Sequence, residues 1–397
     1  MNHRELNQIV LLSGEEQALR LNRIRSIMSG KGIDAMLISD YANIYYLTGR
    51  VFAGYIYISA EASSIPLYFI RRPVTLQGDG MVRISKPEQI AESIGLNLPG
   101  SIGLELDLLS YSMAERMKKA IPAEVVNCSG VMREARSVKT RMELDKIRHA
   151  GILHASVYNL IPSLYEEGMT DIELQIEIER QLRLKGCLGL FRISGSSMET
   201  HMGTLIAGDN ADMPSPYDFS MGGSGIDPSL PMGADGSVIR PGHTVMVDLN
   251  GAFGGYMTDM SRVFSVGSVS NEALEAHLCS IEICRQLEIT GVPGTPAREL
   301  YETAVTIAEK SGLKRYFMGH RQQAGFIGHG VGIEINELPV IAPRSRDILT
   351  EGNVIALEPK FVIPGTGAVG IENTYEVTSS GLKSLTLAPE EILPLDE

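Results

Sequence analysis

Five side chains that can bind metal ions stand in the second half of the chain: Asp248, Asp259, His329, Glu358 and Glu372. The four acidic residues lie in apolar runs of strand type, where a carboxylate costs roughly several kcal/mol unless its charge is compensated. A metal ion supplies that compensation. One imidazole and four carboxylates form a mainly oxygen donor set, which is large enough for two divalent ions joined by bridging carboxylates. Such a set suits Mn, Fe or Co, with Zn possible.

The two aspartates lie in VMVDLNGAFGGYMTDMSRVFSV, which predicts two strands joined by a glycine-rich turn. If Asp248 and Asp259 stand opposite each other in the hairpin, the turn must be centred between Phe253 and Gly254. The turn signal falls in that region. We therefore predict a hairpin that carries both carboxylates.

The two glutamates lie in VIALEPKFVIPGTGAVGIENTYEVT, which has the same plan. Opposite positions for Glu358 and Glu372 would centre the turn on Gly365, within Pro-Gly-Thr. His329 lies between these two segments and has a glycine on each side, a residue type that allows close approach of backbone or ligand. A single aspartate in a strand or a single histidine between glycines is more often structural. Five donors in two matching hairpins favour a metal site.

Composition excludes several other classes of protein. The chain has 397 residues, of which 44% are hydrophobic and 21% charged, so disordered, collagenous and coiled-coil proteins are excluded and two or three domains are expected. The net charge of −13 argues against a nucleic-acid binder, and no apolar stretch approaches the roughly 18 residues of a membrane span. Four cysteines without a CxxC pair are typical of a reduced, cytoplasmic protein.

The elements that must position the donors follow from the spacing of apolar residues. The first third of the chain has an amphipathic helical segment at 17–29, then runs of strand type at IDAMLISD, NIYYLTG, YIYISA, SIPLYFI and IGLEL. We predict a compact α/β unit up to about residue 135. Two helical segments open the second part, the second of them with a capping box of Thr170 and Glu173. A long turn-rich loop at 207–242 is expected near the site.

Several segments together resemble a known family. VDLNGAFGGYMTDMSRVFSVG, GHGVGIEINELP, ALEPKFV and GIENTYEVT resemble the metal motifs of the pita-bread metallopeptidases, family M24, which includes Xaa-Pro aminopeptidase, prolidase, methionine aminopeptidase and the non-peptidase creatinase. RLNRIRSIMSGKGIDAMLISDYANIYYLTG resembles the start of the creatinase/prolidase N-terminal domain, which favours the Xaa-Pro branch. The resemblance implies an α/β N-terminal domain, residues 1–135, and an α+β pita-bread catalytic domain, residues 136–397, with a curved antiparallel sheet flanked by helices.

The resemblance also implies roles for the five donors. His329 and Glu358 would bind one metal ion and Asp248 the other, while Asp259 and Glu372 would bridge the two. Glu358 resembles the glutamate of the family that acts as general base. Mn is the expected metal, short peptides are the expected substrates, and a homodimer is expected.

The sequence departs from the family pattern around the substrate. The Leu-Pro-His-Gly element of the family resembles LPMG here, so Met232 stands where a histidine is expected, and Asn336 stands where a second histidine is common. Met232 cannot transfer a proton and Asn336 does not titrate. Gly370 replaces an arginine that often precedes the last metal glutamate. His320 is a candidate catalytic substitute for the missing histidines, and Met232 and Asn336 are candidate substrate-binding residues.

Three functions stay open at this point. The first is a dinuclear metal-dependent peptidase that cleaves the Xaa-Pro bond at the N-terminus of short peptides, as an aminopeptidase or a dipeptidase. The second is a creatinase-like hydrolase of a small amide or amidine. The third is a catalytically weak binding protein on the same fold. Retention of all five donors argues against the second, which can use less metal, and against the third, because four carboxylates without metal would repel one another.

Overall fold

The computed structural model describes residues 7–95, 98–193, 200–217 and 221–396. The chain divides into two compact units, Met1–Arg136 and Ser137–Glu397. Within the described ranges, none of the helices combines the length and the apolar character that crossing a membrane requires.

The first unit is built on a six-stranded mixed sheet with the strand order β4-β3-β2-β1-β5-β6. Strands β1, β5 and β6 run parallel to one another, and β1–β2 and β2–β3 are antiparallel pairs. Buried apolar side chains of the sheet pack against α3 and α4, as the prediction of an α/β unit requires. The elements are α1 Gly14–Gly30, β1 Ala35–Ile38, α2 Tyr41–Thr48, β2 Ala53–Ser59, β3 Leu67–Arg72, β4 Met81–Arg83, α3 Gln89–Ile94, β5 Ser101–Leu104, α4 Tyr111–Ala120, β6 Glu124–Asn127 and α5 Ser129–Ser137.

The interpretation of NIYYLTG as a strand is wrong, because this segment forms most of α2. The side chain of Asp40 accepts hydrogen bonds from the backbone N–H groups of Ala42 and Asn43, which caps the start of the helix. Gly49 ends it in the left-handed conformation, with φ of 74°. The helix is buried on most sides, so its apolar residues show no helical stripe, and only its caps distinguish it from a strand.

A buried carboxylate, Glu105, holds the loop that starts α2. Its Oε2 accepts from the backbone N–H groups of Ser39 at 2.6 Å and Asp40 at 2.8 Å, and its Oε1 accepts from Asn43 Nδ2 at 2.6 Å. Burial raises the pKa of Glu105, although these hydrogen bonds to the charged form oppose the shift. The side chain therefore fixes the connection from β1 to α2.

We expect Glu105→Leu to destabilise the protein by about 3 kcal/mol, since it removes the acceptor of the buried Asn43 amide and of two partly buried backbone N–H groups. The measurement is the free energy of unfolding of the full chain in urea. Glu92→Leu, at an exposed position of α3, is the matched control and should change stability by less than about 0.5 kcal/mol. An equal effect of both substitutions would contradict the role assigned to Glu105.

The second unit contains a five-stranded sheet of order β11-β10-β12-β15-β16, a four-stranded sheet of order β17-β9-β8-β7 and the hairpin β13-β14. Helices α8 and α9 pack on a core that draws residues from all three. The capping box of Thr170 and Glu173 at the start of α7 is confirmed. The elements are α6 Arg141–Tyr158, α7 Asp171–Leu184, β7 Gly203–Ala207, β8 Thr244–Phe253, β9 Tyr256–Ser265, α8 Asn271–Thr290, α9 Ala297–Lys310, β10 Gly328–Gly330, β11 Glu337–Ile341, β12 Val354–Leu357, β13 Lys360–Ile363, β14 Gly367–Gly370, β15 Asn373–Thr378, β16 Gly381–Ser384 and β17 Leu393–Pro394.

The hairpin β8–β9 forms as predicted, but the predicted register is wrong by two residues. Asp248 pairs with Ser261, and Asp259 pairs with Asn250. The turn is Gly254-Gly255, with φ of 58° and 85°, because a two-residue turn of type I′ needs positive φ at both positions. A shift of two residues keeps every side chain on its face of the sheet, so both aspartates still point the same way.

The second predicted hairpin has the predicted register. Lys360 pairs with Gly370 and Ile363 with Gly367, so the turn is centred on Gly365. Continuing this register outward by two residues brings Glu358 opposite Glu372.

A fully buried histidine, His154 of α6, packs against the hairpin β8–β9. Its Nδ1 lies 3.0 Å from the hydroxyl of Thr258, and its Nε2 has no hydrogen-bond partner among the described residues. Burial lowers the pKa of His154 to about 3, with Arg262 adding to the shift. The imidazole is therefore neutral in the folded protein.

This shift predicts a loss of stability as the pH falls. Below about pH 6.5 the unfolded chain protonates His154 and the folded chain does not, so unfolding becomes easier by about 1.4 kcal/mol per pH unit until the folded pKa is reached. In His154→Gln that contribution is absent. We expect the stability difference between wild type and the variant to shrink by about 2 kcal/mol between pH 6.5 and pH 5 in urea unfolding. A difference that stays constant with pH would contradict a neutral buried imidazole.

Candidate metal centre

The structure brings the five predicted donors together, from both larger sheets of the second unit. Asp248 lies on β8, Asp259 on β9 and His329 on β10, while Glu358 follows β12 and Glu372 precedes β15. Two sets of three donors have ligand atoms within 4.8 Å of one another: Asp259, His329 and Glu372, and Asp248, Glu358 and Glu372. We call these the histidine set and the carboxylate set. His329 Nε2 also lies 3.6 Å from Glu358 Oε1.

Neighbouring hydroxyl groups fix the carboxylate of one donor and the backbone of another. Ser261 Oγ donates to Glu372 Oε2 at 2.7 Å. The hydroxyl of Thr374 accepts from the backbone N–H of Asp259 and donates to its carbonyl, both at 2.8 Å. These bonds tie β9 to the start of β15, so two donors that are far apart in sequence keep a fixed separation.

The glycines on either side of His329 have a steric role. A Cβ atom at Gly328 would stand 2.2 Å from the carbonyl oxygen of Ala356, and one at Gly330 would stand 2.2 Å from that of Leu338. Only glycine lets β10 lie between β11 and β12 at this distance. The sequence expectation of close backbone approach at His329 is therefore confirmed.

The sequence analysis missed Lys360, whose ammonium group lies inside the cluster. Its Nζ donates to Asp248 Oδ2 at 2.7 Å, Glu358 Oε2 at 2.8 Å and Glu372 Oε2 at 3.0 Å. These are the three members of the carboxylate set. The side chain of Lys360 is completely buried. A usable signal was present, because residues two apart on an extended chain point to the same side, as Glu358 and Lys360 do.

Burial and mutual repulsion dominate the electrostatics of the cluster. Burial raises the pKa values of Asp259 and Glu372 well above their usual range, and the neighbouring carboxylates raise them further. Burial alone would lower the pKa of Lys360, but Asp248, Glu358 and Glu372 outweigh it and raise that pKa. The arrangement therefore favours an additional cation, which would allow the carboxylates to ionise.

The donors fit a metal ion at one of the two sets. Glu372 Oε1 is buried and has no hydrogen-bond partner among the described residues, and the histidine set combines an imidazole with two carboxylates, as divalent transition metals prefer. At the carboxylate set the ammonium of Lys360 already contacts all three members.

The three candidate residues around the site lie as follows. His320 Nδ1 is 2.9 Å from Asp212 Oδ2, and among the described residues it makes no hydrogen bond to the cluster. Met232 is buried in the loop between β7 and β8. Asn336 is half-buried and immediately precedes β11. Their roles stay predictions.

Comparison with known proteins agrees with these features. The model of metallopeptidase family M24 matches residues 145–379, and that of the creatinase/prolidase N-terminal domain matches residues 20–138. An Xaa-Pro dipeptidase of Pyrococcus furiosus is 29% identical over 381 residues, covering 94% of this chain and 99% of that protein.

Solved structures show the same fold. An Xaa-Pro dipeptidase from Bacillus anthracis matches with a TM-score of 0.79 and 25% identity, covering 95% of this chain and 99% of that one. The X-Pro aminopeptidase of Thermotoga maritima matches with a TM-score of 0.77 and 21% identity over 94% and 99% of the two chains. The predicted α/β domain followed by an α+β pita-bread domain is confirmed. The family implies divalent metal ions at a cluster of this kind. The chain belongs to metallopeptidase family M24 and is a metallo-hydrolase with a creatinase/prolidase N-terminal domain.

Proposed function

We propose that this protein hydrolyses the bond between an N-terminal residue and proline in short peptides. The observation that carries the proposal is the buried cluster of one imidazole and four carboxylates on two sheets. Xaa-Pro dipeptidases at 25–29% identity along more than nine-tenths of the chain support this substrate class. Whether the enzyme accepts dipeptides only or longer peptides is the finer question that the experiment below addresses.

We assign the metal to the histidine set, with Glu358 beside it. A bound divalent ion acts as a Lewis acid that lowers the pKa of water and polarises the scissile carbonyl. Asp259, His329 and Glu372 would hold the ion; the bond from Ser261 orients the carboxylate of Glu372, and the bonds of Thr374 fix the backbone of Asp259. Glu358 takes a proton from the attacking water and passes it to the proline nitrogen when the C–N bond breaks.

The remaining assignments concern the surroundings of the cluster. We propose that Asn336 and Met232 contact the substrate and that His320 acts in catalysis from a neighbouring loop, as a substitute for the missing histidines. We further propose domain limits of 1–135 and 136–397, Mn as the metal, a homodimer and a cytoplasmic location. The two-ion arrangement predicted from the sequence stays untested, and Lys360 bears on it directly.

The test is release of the N-terminal amino acid by metal-stripped protein, with and without added Mn. The panel contains Xaa-Pro dipeptides, Xaa-Pro-Xaa tripeptides and matched Xaa-Ala peptides as controls. Turnover of the proline peptides that appears only with metal supports the proposal, and the preferred length separates dipeptidase from aminopeptidase. Equal turnover of the Xaa-Ala controls, or none of the proline peptides with any divalent ion, would refute it.

A second candidate is a hydrolase of a small amide or amidine. Lys360 favours it, because its ammonium group lies where an all-metal cluster would have an ion, and a creatinase-like hydrolase can use less metal. Met232 and Asn336 also favour this second function, because neither side chain titrates where a histidine is expected in the peptidases. Adding creatine and simple amides to the panel distinguishes the two functions.

A further inference from the structure

We infer that the ammonium group of Lys360 takes the place of one of two metal ions, so that the cluster binds a single divalent ion at the histidine set. The inference rests on the proposed metal-binding role of the cluster. It replaces the two-ion arrangement expected from the sequence with one metal ion and one built-in organic cation.

The position of the ammonium nitrogen excludes an ion at the carboxylate set. Nζ lies 2.7 to 3.0 Å from one oxygen each of Asp248, Glu358 and Glu372. A divalent ion bound by the same three oxygens needs distances of about 2.0 to 2.2 Å. Its position would therefore overlap the position of the nitrogen, and two cations cannot share it.

The backbone holds Lys360 in this position. Lys360 is the first residue of β13 and pairs with Gly370. Its carbonyl accepts from the backbone N–H of Met318 at 2.8 Å, and its own N–H donates to the sulfur of that methionine at 3.4 Å. The side chain has no exposed surface. An ion entering the carboxylate set would have to push the buried ammonium group of Lys360 away from its three carboxylates. The cost would be high, because a buried charge would then lose its compensation.

The histidine set keeps the features of a metal site. His329 Nε2 lies 3.8 Å from Asp259 Oδ2, a separation that leaves room for an ion between the two atoms. Glu372 reaches both sets, because its Oε2 accepts from Lys360 while its Oε1 is without a hydrogen-bond partner among the described residues. Glu372 thus bridges a lysine and a metal ion rather than two metal ions.

The charge of the cluster is compatible with this occupancy. Four ionised carboxylates, one ammonium group and one divalent ion leave a single net negative charge, whereas the same ionised groups without the divalent ion would carry three. Lys360 supplies permanent compensation where the carboxylates are most crowded, so the sheet can form around them before any metal binds.

The experiment counts metal ions per chain and needs no substrate. Metal-free full-length protein is saturated with Mn, freed of excess metal and analysed by inductively coupled plasma mass spectrometry; crystals of the same sample give anomalous difference maps. We expect one Mn per chain in the wild type, at Asp259, His329 and Glu372. We expect two in Lys360→Met, which removes the charged nitrogen and keeps an unbranched apolar side chain one atom shorter. Lys310→Met, at an exposed position of α9, is the control and should bind one.

Two bound ions in the wild type, or no Mn at the histidine set, would overturn the inference. So would equal counts in the wild type and a folded Lys360→Met. If Lys360→Met does not fold, Lys360→Gln retains a donor for the carboxylates without charge and is expected to bind two ions. Metal counting is independent of turnover. One ion in the wild type and two in Lys360→Met, without Xaa-Pro hydrolysis by the wild type, would therefore support the inference and refute the proposed function. Hydrolysis with two ions in the wild type would do the reverse.

Discussion

Asp259→Ala is expected to abolish peptide hydrolysis and remove the bound metal while the chain stays folded. Asp259 supplies one of the two carboxylates of the histidine set. Loss of an outer partner of a metal ligand typically costs 10- to 100-fold in metal affinity or activity, so loss of a ligand should cost at least about 100-fold in both. The measurements are kcat/KM on an Xaa-Pro dipeptide and Mn content after equilibration near the wild-type Kd.

The fold should survive this substitution for two reasons. The bonds of Thr374 to residue 259 involve only its backbone N–H and carbonyl, so they remain in the variant. Removal of this carboxylate also removes the burial cost and the repulsion by neighbouring carboxylates that together raise its pKa. The circular dichroism spectrum should be unchanged. Glu351→Ala, at an exposed position, is the control, and unchanged Mn content in Asp259→Ala would show that Asp259 is not a ligand.

Glu358→Gln is expected to lower kcat by about 10²- to 10⁴-fold, the usual contribution of a general base. The amide oxygen still accepts a hydrogen bond from Lys360, which now donates to Glu358 Oε2 at 2.8 Å, so the cluster keeps its shape. Bound Mn should stay at one per chain at saturation, because the histidine set is intact. The measurements are kcat and Mn content on one preparation.

The split between kcat and metal content distinguishes the two variants. If Glu358 had a structural role only, Glu358→Gln would lower kcat and bound Mn together, as is expected for Asp259→Ala. A kcat within about tenfold of wild type, with metal retained, would contradict the assignment of Glu358 as general base.

Much of the fold could be predicted from the sequence because local signals agree with long-range pairing. The second hairpin is an example, since Gly365 marks a turn that leaves Glu358 opposite Glu372. The first hairpin shows the limit. Phe253, Gly254 and Gly255 offer two positions for a short turn, and only the demand for positive φ at both central residues selects the glycine pair.

The site was predictable where residue types are unusual for their surroundings and was missed where they are not. Carboxylates in apolar strands indicate a cation, so the five donors were found. A lysine is typical of surfaces, and Lys360 is recognised as internal only when the strand direction of Glu358 is taken into account. Contacts of His320 depend on the path of a long loop, for which the sequence has no periodic signal.

The most direct measurement is a titration of metal-free protein with Mn, in which bound Mn and turnover of an Xaa-Pro dipeptide are followed in the same samples. We expect no turnover without Mn, a rise in proportion to bound Mn, and a plateau at one Mn per chain. Turnover in the metal-free protein, or none at full occupancy, would contradict a metal-dependent Xaa-Pro peptidase. A plateau reached only at two Mn per chain would contradict the role of Lys360 as the second cation.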